Sequence, residues 1–220
     1  MNLFELLELS VTGKEHSKKL KDNISFDISY EFINRVNSVL TILDSSQNEL
    51  MKKKFKTFSD IHQLYDKLSE ILVAYRFLNQ NPVFINEEEG GPDIYLSNDD
   101  KYIEVKTLNN SDFQNEAVEV MQNSGGMFIS TSTLDPNEEL RKENAVYKKA
   151  YELICKACKQ LENKKGVIFL VYSIDILRNS RVGKADFESK IQTHITSFNL
   201  RNVSFELLDK KDLFGRVSYF

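Results

Sequence analysis

Apolar positions in the first eighty residues recur at helical spacing. Leu3, Phe4, Leu6, Leu7 and Leu9 predict a short first helix. Phe32, Ile33, Val36, Val39, Leu40 and Leu43 predict a second, both within a polar-rich, helical stretch over residues 1–58. Ser59 or Asp60 can cap the next helix, whose broad apolar face includes Leu64, Leu68, Ile71, Leu72 and Tyr75. That helix runs to about Asn79 and ends at Asn81-Pro82, because the residue before a proline is pushed out of helical conformation. The period then falls to two. Val83-Phe84-Ile85 reads as a short strand, residues 87–91 as a turn, and residues 93–96 and 102–108 as a hairpin joined by Ser97-Asn98-Asp99-Asp100.

Residues 109–132 are less regular, with a short helix over 115–122 and a Gly125-Gly126 loop. A long helix follows from Pro136 or Asn137 to Asn163 and is broken at Lys165-Gly166. Residues 166–173 are the most apolar run of the chain and read as a central, buried strand. A helix over about 186–198 and a strand over 203–208 complete the pattern. Helix, three strands, helix, strand, helix, strand is an α/β order, best satisfied by a mixed central sheet flanked by helices. Residues 1–58 then form an N-terminal helical extension and residues 59–220 an α/β core, within one compact unit.

Composition narrows the classes. The chain has 220 residues, 41% apolar and 28% charged, which is globular and long enough for a core without staples. No apolar run approaches the ~20 residues of a membrane helix. Met1-Asn2-Leu3-Phe4-Glu5 lacks the basic start of a secretory signal, and two cysteines cannot build a disulfide framework, so a cytoplasmic protein is expected.

The chemistry-bearing stretch is Pro92-Asp93 followed by Glu104-Val105-Lys106. Side chains alternate along a strand, so Glu104 and Lys106 share a face with Tyr102, and the hairpin brings Asp93 close to Glu104. Two carboxylates and an ammonium on one spot suit phosphodiester hydrolysis. Mg²⁺ takes one or two carboxylates plus water and phosphate, and a bound metal acidifies its water. The acid-x-Lys spacing alone carries little, since it occurs five times in the chain; only Glu104/Lys106 lies in an alternating apolar strand. Glu70 adds to the set. It lies on a helical stripe with Val73, Ala74 and Phe77, where a carboxylate is costly unless a cation or proton serves it, with Lys67 or Arg76 as a structural partner.

These residues resemble the PD-(D/E)xK nuclease superfamily, the restriction-endonuclease-like fold with an αβββαβ core, over about residues 60–175. The resemblance implies a metal-dependent nuclease acting on DNA, with an endonuclease favoured. Asp93 and Glu104 would ligate Mg²⁺ (Mn²⁺ substituting), the Val105 carbonyl would add an oxygen, and Glu70 would bind a metal directly or through water. Lys106 would activate or position the attacking water. Some relatives carry a glutamine or tyrosine motif on the following helix; here that region holds Asn144, Tyr147, Lys148 and Lys149. Lys148 and Lys149 are candidate phosphate contacts, and Gln114, eight residues past Lys106, is an alternative nucleic-acid contact. A homodimer or partner subunit would suit a double-strand cut. The competing reading keeps the fold as a catalytically silent module that binds nucleic acid or a protein.

Other signals are discounted. Cys155-Lys156-Ala157-Cys158 has no second pair for zinc and reads as two small core residues one turn apart. His16, His62 and His194 match no metal spacing, and Lys52-Lys53-Lys54 with Lys56 reads as a solvated helix face. The net charge of −4 is unevenly spread. Residues 83–120 hold ten acids and two lysines, whereas residues 121–220 hold sixteen bases and twelve acids. An acidic cation site beside a moderately basic surface follows.

Overall fold

Strands β1 (Pro82–Phe84), β2 (Ile94–Leu96), β3 (Lys101–Thr107), β4 (Gly166–Tyr172) and β5 (Val203–Asp209) lie side by side in chain order as one sheet. The pairs β1–β2 and β2–β3 are antiparallel, whereas β3–β4 and β4–β5 are parallel. The computed structural model describes residues 1–23, 28–57, 61–86, 90–109, 136–162, 164–179, 182–198 and 202–214. Parallel neighbours need crossovers, and helices supply them. The long α6 (Pro136–Gln160) lies between β3 and β4, and α7 (Ile174–Asn179) and α8 (Lys184–Thr196) lie between β4 and β5. The protein is thus α/β with a five-stranded mixed open sheet flanked by helices. Every residue of β4 is buried, as expected of its unbroken apolar run.

The two faces of the sheet carry different cores. Ile103 and Val105 of β3 and Val167, Phe169 and Val171 of β4 face an N-terminal layer. That layer is built from α1 (Leu3–Leu7), α2 (Val11–Asn23), α3 (Ile28–Ile42), α4 (Ser45–Lys56) and α5 (Ile61–Tyr75). Leu170 and Tyr172 face the other way, against Val146, Ala150 and Ile154 of α6 and Phe187 and Ile191 of α8. A closing helix, α9 (Lys210–Phe214), packs Phe214 on Phe32, rings stacked 5.7 Å apart, and so ties the end of β5 to the N-terminal layer. No helix among the described residues is long and apolar enough to cross a membrane.

The N-terminal layer holds more helices than its apolar spacing predicts. α2 and α4 bury few apolar side chains. In α2 the inner positions include Ser17 and His16, so the helical stripe is polar in sequence yet buried in place. α4 is fixed by its cap, where Asp44 Oδ1 accepts from the Gln47 N–H at 2.8 Å. The next helix stops at Tyr75, and Leu78–Gln80 form a 3₁₀ turn that ends where Asn81 takes the left-handed conformation. The short α7 and α9 have no separate signal in the apolar pattern. The capping role of Ser59 or Asp60, the helix expected over 115–122, the Gly125-Gly126 loop and residues 87–89 of the expected turn lie outside the described residues.

Two outcomes follow from this packing. Gly166 opens β4 so close to its neighbours that an added Cβ would stand 2.8 Å from the Tyr102 carbonyl oxygen and 2.9 Å from a Leu161 methyl. Gly166→Ala is expected to lower unfolding stability by about 1–3 kcal/mol, read by urea denaturation. His16, edge-on to Tyr65 with ring centroids 6.1 Å apart, is held by burial at a pKa of about 4, below its ordinary 6.5. The unfolded chain therefore takes up a proton that the folded chain refuses. The stability this contributes is complete above pH 6.5 and is lost as pH falls towards 4, by up to about 1.4 kcal/mol per pH unit. Stability curves of His16→Gln should be flatter than wild type over that window and parallel to it above pH 7.

Candidate active site

The ladder between β2 and β3 ends early, and the site is built where it stops. The last paired residues are Ile94 and Ile103, so β3 runs past its partner from Glu104 to Thr107. The Asp93 N–H still donates to the Ile103 carbonyl at 3.1 Å, but Pro92 has no amide proton with which to continue. The Asp93 side chain takes over. Its Oδ2 accepts from the Val105 N–H at 2.7 Å, so a carboxylate replaces the missing strand. Tyr102 and Leu108 direct their N–H groups to carbonyls across β4. The Val105 carbonyl therefore lies with its N–H on the opposite edge, beside Asp93.

Alternation does the rest. Glu104 and Lys106 point to the side of β3 that carries Tyr102, away from Ile103 and Val105, and the Lys106 ammonium contacts Glu104 Oε1 directly. Tyr95, two residues after Asp93, pairs with Tyr102 with ring centroids 4.9 Å apart, so Asp93 is on that side too. Asp93 is 6% exposed and Glu104 0% exposed. Glu104 Oε2 is buried with no hydrogen-bond partner among the described residues. Burial raises the Asp93 carboxyl well above its ordinary range, and the charges of Glu70 and Glu104 raise it further against Lys106 and the Val105 N–H. Burial also pushes Glu104 up to about 7, with Lys106 opposing and Glu70 adding to the rise. Each of the three carboxylates is thus within electrostatic reach of another.

Glu70, on α5, is near enough for its charge to raise both carboxyls, and both of its oxygens are occupied. Lys54 Nζ lies 3.0 Å from Oε2 and Lys67 Nζ lies 3.0 Å from Oε1. Arg76, the other partner considered for it, pairs instead with Glu206 at 3.1 Å. Lys54 corrects the solvated-face reading of the lysine run, because it is 7% exposed. Its signal was present in the sequence. Met51, Lys54 and Phe55 sit at i, i+3 and i+4, so Lys54 interrupts the buried stripe of α4.

Asp66, one turn before Glu70, accepts from Asn109 Nδ2 at 3.0 Å, and burial raises its carboxyl. Lys210 lies 3.9 Å from the centre of the Tyr65 ring, and burial lowers its amine to about 8 against the charge of Asp66. Neither Asp66 nor Lys210 stands out from composition or spacing.

The basic candidates lie elsewhere. Lys148 is exposed and lines a groove between α6 and α8, and Lys149 is half-buried on α6. Gln114 lies outside the described residues. The C-terminal end of α6 does touch the edge of the site, where Gln160 Nε2 donates to the Gly91 carbonyl at 3.0 Å. Cys155 and Cys158 are free, half-buried thiols: Cys158 packs against the core, whereas Cys155 lines the groove.

Among the described residues no three of His, Cys, Asp and Glu converge as a group that could hold a metal ion, so Glu70, Asp93 and Glu104 do not form one. A cation here would rest on two carboxylates and leave the remaining positions to water and substrate, which is the Mg²⁺ habit. Lys106 contacts Glu104 alone, Asp93 is held by the Val105 N–H, and Glu104 Oε2 is left without a partner among the described residues. Two buried carboxylates with one unpartnered oxygen fit a divalent cation.

The Lys54–Glu70 pair is open to a direct test. Removing one partner of a buried pair strands the other charge. Lys54→Met should cost about 3 kcal/mol in chemical denaturation, at the low end for such pairs because Lys67 remains. Lys54→Met with Glu70→Leu should recover much of the loss, and Lys56→Met, on the exposed side of α4, should change stability by less than about 0.5 kcal/mol.

Comparison of the chain with protein-family models, curated proteins and solved structures returns no significant match.

Proposed function

We propose that this chain is a metal-dependent nuclease of the PD-(D/E)xK type that hydrolyses phosphodiester bonds, with DNA as substrate and endonucleolytic cleavage favoured. The observation that carries this reading is the pairing of Asp93 and Glu104 at the end of the β2–β3 ladder. They are two buried carboxylates, Glu104 in contact with the Lys106 ammonium and with one oxygen left over. The succession α5, β1 to β3, α6, β4 supports a restriction-endonuclease-like αβββαβ core.

Asp93, Glu104 and the Val105 carbonyl would hold Mg²⁺, or Mn²⁺ in its place. The metal would supply a more acidic water and a counter-charge for the phosphate. The chain's own residues do the positioning. The Val105 N–H fixes Asp93 by one oxygen, and Glu104 is fixed by the rigid centre of β3. Lys106 holds Glu104 Oε1 in the resting site and orients the attacking water when substrate is bound. Its charge also opposes the negative charge that builds on the phosphate. Glu70 would bind a metal directly or through water, in exchange for its present contacts with Lys54 and Lys67.

One observation favours the alternative, a catalytically silent module of the same fold. Glu70 is already satisfied by two lysines, so the site is largely neutralised by its own side chains. Two measurements separate the readings. Plasmid, linear duplex DNA and RNA are incubated with Mg²⁺ or Mn²⁺ and the wild-type chain, Lys106→Ala or Asp93→Asn. The nuclease reading expects metal-dependent DNA cleavage that falls at least about 100-fold in both variants. It also expects millimolar Ca²⁺ or Mn²⁺ to raise the melting temperature of wild type but not of Glu104→Ala. Folded wild type with neither cleavage nor a metal-induced shift would establish the silent module instead.

A further inference from the structure

The sheet-facing side of α6 is apolar, and its two flanks meet different neighbours. Val146, Ala150, Ile154, Ala157 and Leu161 point inward. At about 100° per residue, Lys149, Leu153 and Gln160 fall on one flank, and Gln160 reaches the edge of the carboxylate site at Gly91. Tyr147, Tyr151 and Cys155 fall on the other, towards α8. Between α6 and α8 lies an open groove of about 540 Å³. Its wall is aromatic. Tyr151 and His194 overlap with ring centroids 3.9 Å apart and planes 31° apart, and His194 in turn meets Phe198 edge-on at 5.0 Å. Tyr147 is held by its hydroxyl, which donates to Asp186 at 2.8 Å. The rim is basic: Lys148, Lys156 and Lys159 are all exposed, and Glu152 is the one carboxylate among the described lining residues.

We infer that this groove binds single-stranded nucleic acid, with bases stacked on the Tyr151–His194 pair and the backbone neutralised by Lys148, Lys156 and Lys159. The inference rests on the nucleic-acid reading of the chain and extends it to the form of the substrate. Rows of lysine flanking half-exposed rings match the chemistry of an unpaired strand, which offers both a line of phosphates and free base faces. A duplex offers the phosphates but keeps its bases stacked within. The three lysines project from the outer ridge of α6, between the groove and the flank that meets the carboxylate site.

The test is binding in EDTA, where nothing is cleaved and the carboxylate site takes no part. Fluorescence anisotropy is read with labelled dT₂₀, rU₂₀ and a 20-base-pair duplex. Wild type should bind an unpaired strand more tightly than the duplex, and the dT₂₀ and rU₂₀ arms show whether the groove prefers DNA or RNA. Tyr151→Ala should weaken single-strand binding about 5- to 100-fold, leave duplex binding unchanged and be rescued by Tyr151→Phe. The triple reversal Lys148→Glu, Lys156→Glu and Lys159→Glu should weaken single-strand binding and lower the slope of log affinity against log salt by about 2. It touches only exposed side chains, so it decides the matter even if Tyr151→Ala does not fold.

Three results would overturn the inference. One is no binding of either unpaired strand at low salt. Another is single-strand binding that the triple reversal leaves unchanged. The last is loss on reversal that is equal for strand and duplex, which would mark a plain basic ridge. Groove failure with metal-dependent cleavage intact removes the groove alone. Groove binding without cleavage removes the hydrolytic reading alone.

Discussion

The hydrogen bond from the Val105 amide to Asp93 is the contact on which the candidate site depends. A strand edge that loses its partner leaves buried amides in need of acceptors, and each unmet one costs about 1–3 kcal/mol. Here the acceptor is a carboxylate rather than another backbone carbonyl. That substitution ends the sheet ladder, fixes Asp93 to the centre of β3 and sets it on the face that carries Glu104 and Lys106. A shift of β2 by one residue would point Asp93 into the N-terminal core among leucines and valines. The register of a three-residue strand, and the proline before it, therefore decide whether a group of carboxylates exists at all.

Gathering those carboxylates away from water has to be compensated, and the compensation comes from distant parts of the chain. Lys106 is local to β3, Lys67 is on the same helix as Glu70, and Lys54 reaches in from α4. The N-terminal helices are thus more than a cover for one face of the sheet. They share its apolar core and deliver one of the three cations that balance the site. Burial first, and the neighbouring carboxylates second, raise the Asp93 and Glu104 carboxyls above their ordinary range. The three cations are unevenly shared: Glu70 holds two of them, and the Asp93–Glu104 pair has only Lys106. In the proposed chemistry, that deficit is what a divalent cation fills.

α6 links this acidic centre to the basic half of the molecule. Its inner stripe is a single apolar seam against the sheet, and its two polar flanks serve different neighbours. The same helix that touches the Gly91 edge of the site through Gln160 presents tyrosines and lysines to the groove with α8.

Hydrophobic period alone determined most of the framework. The 3.6-residue spacing marks α3, α5 and α6, the two-residue spacing marks β2 and β3, and an unbroken apolar run marks β4, because burial of one face imposes these periods on any sequence. The same alternation placed Glu104 and Lys106 together and set Asp93 beside them. What the period does not carry was decided by tertiary structure. α2 is buried through Ser17 and His16, and α7 and α9 are too short to show a stripe. Lys54 and Arg76 illustrate the limit most plainly. Both are cations within reach of plausible partners in sequence, yet the fold sends Arg76 to Glu206 and brings Lys54 inward to Glu70. Pairing of charges depends on which helices pack together, and that is settled by the summed burial of whole faces, not by the residues that happen to be neighbours along the chain.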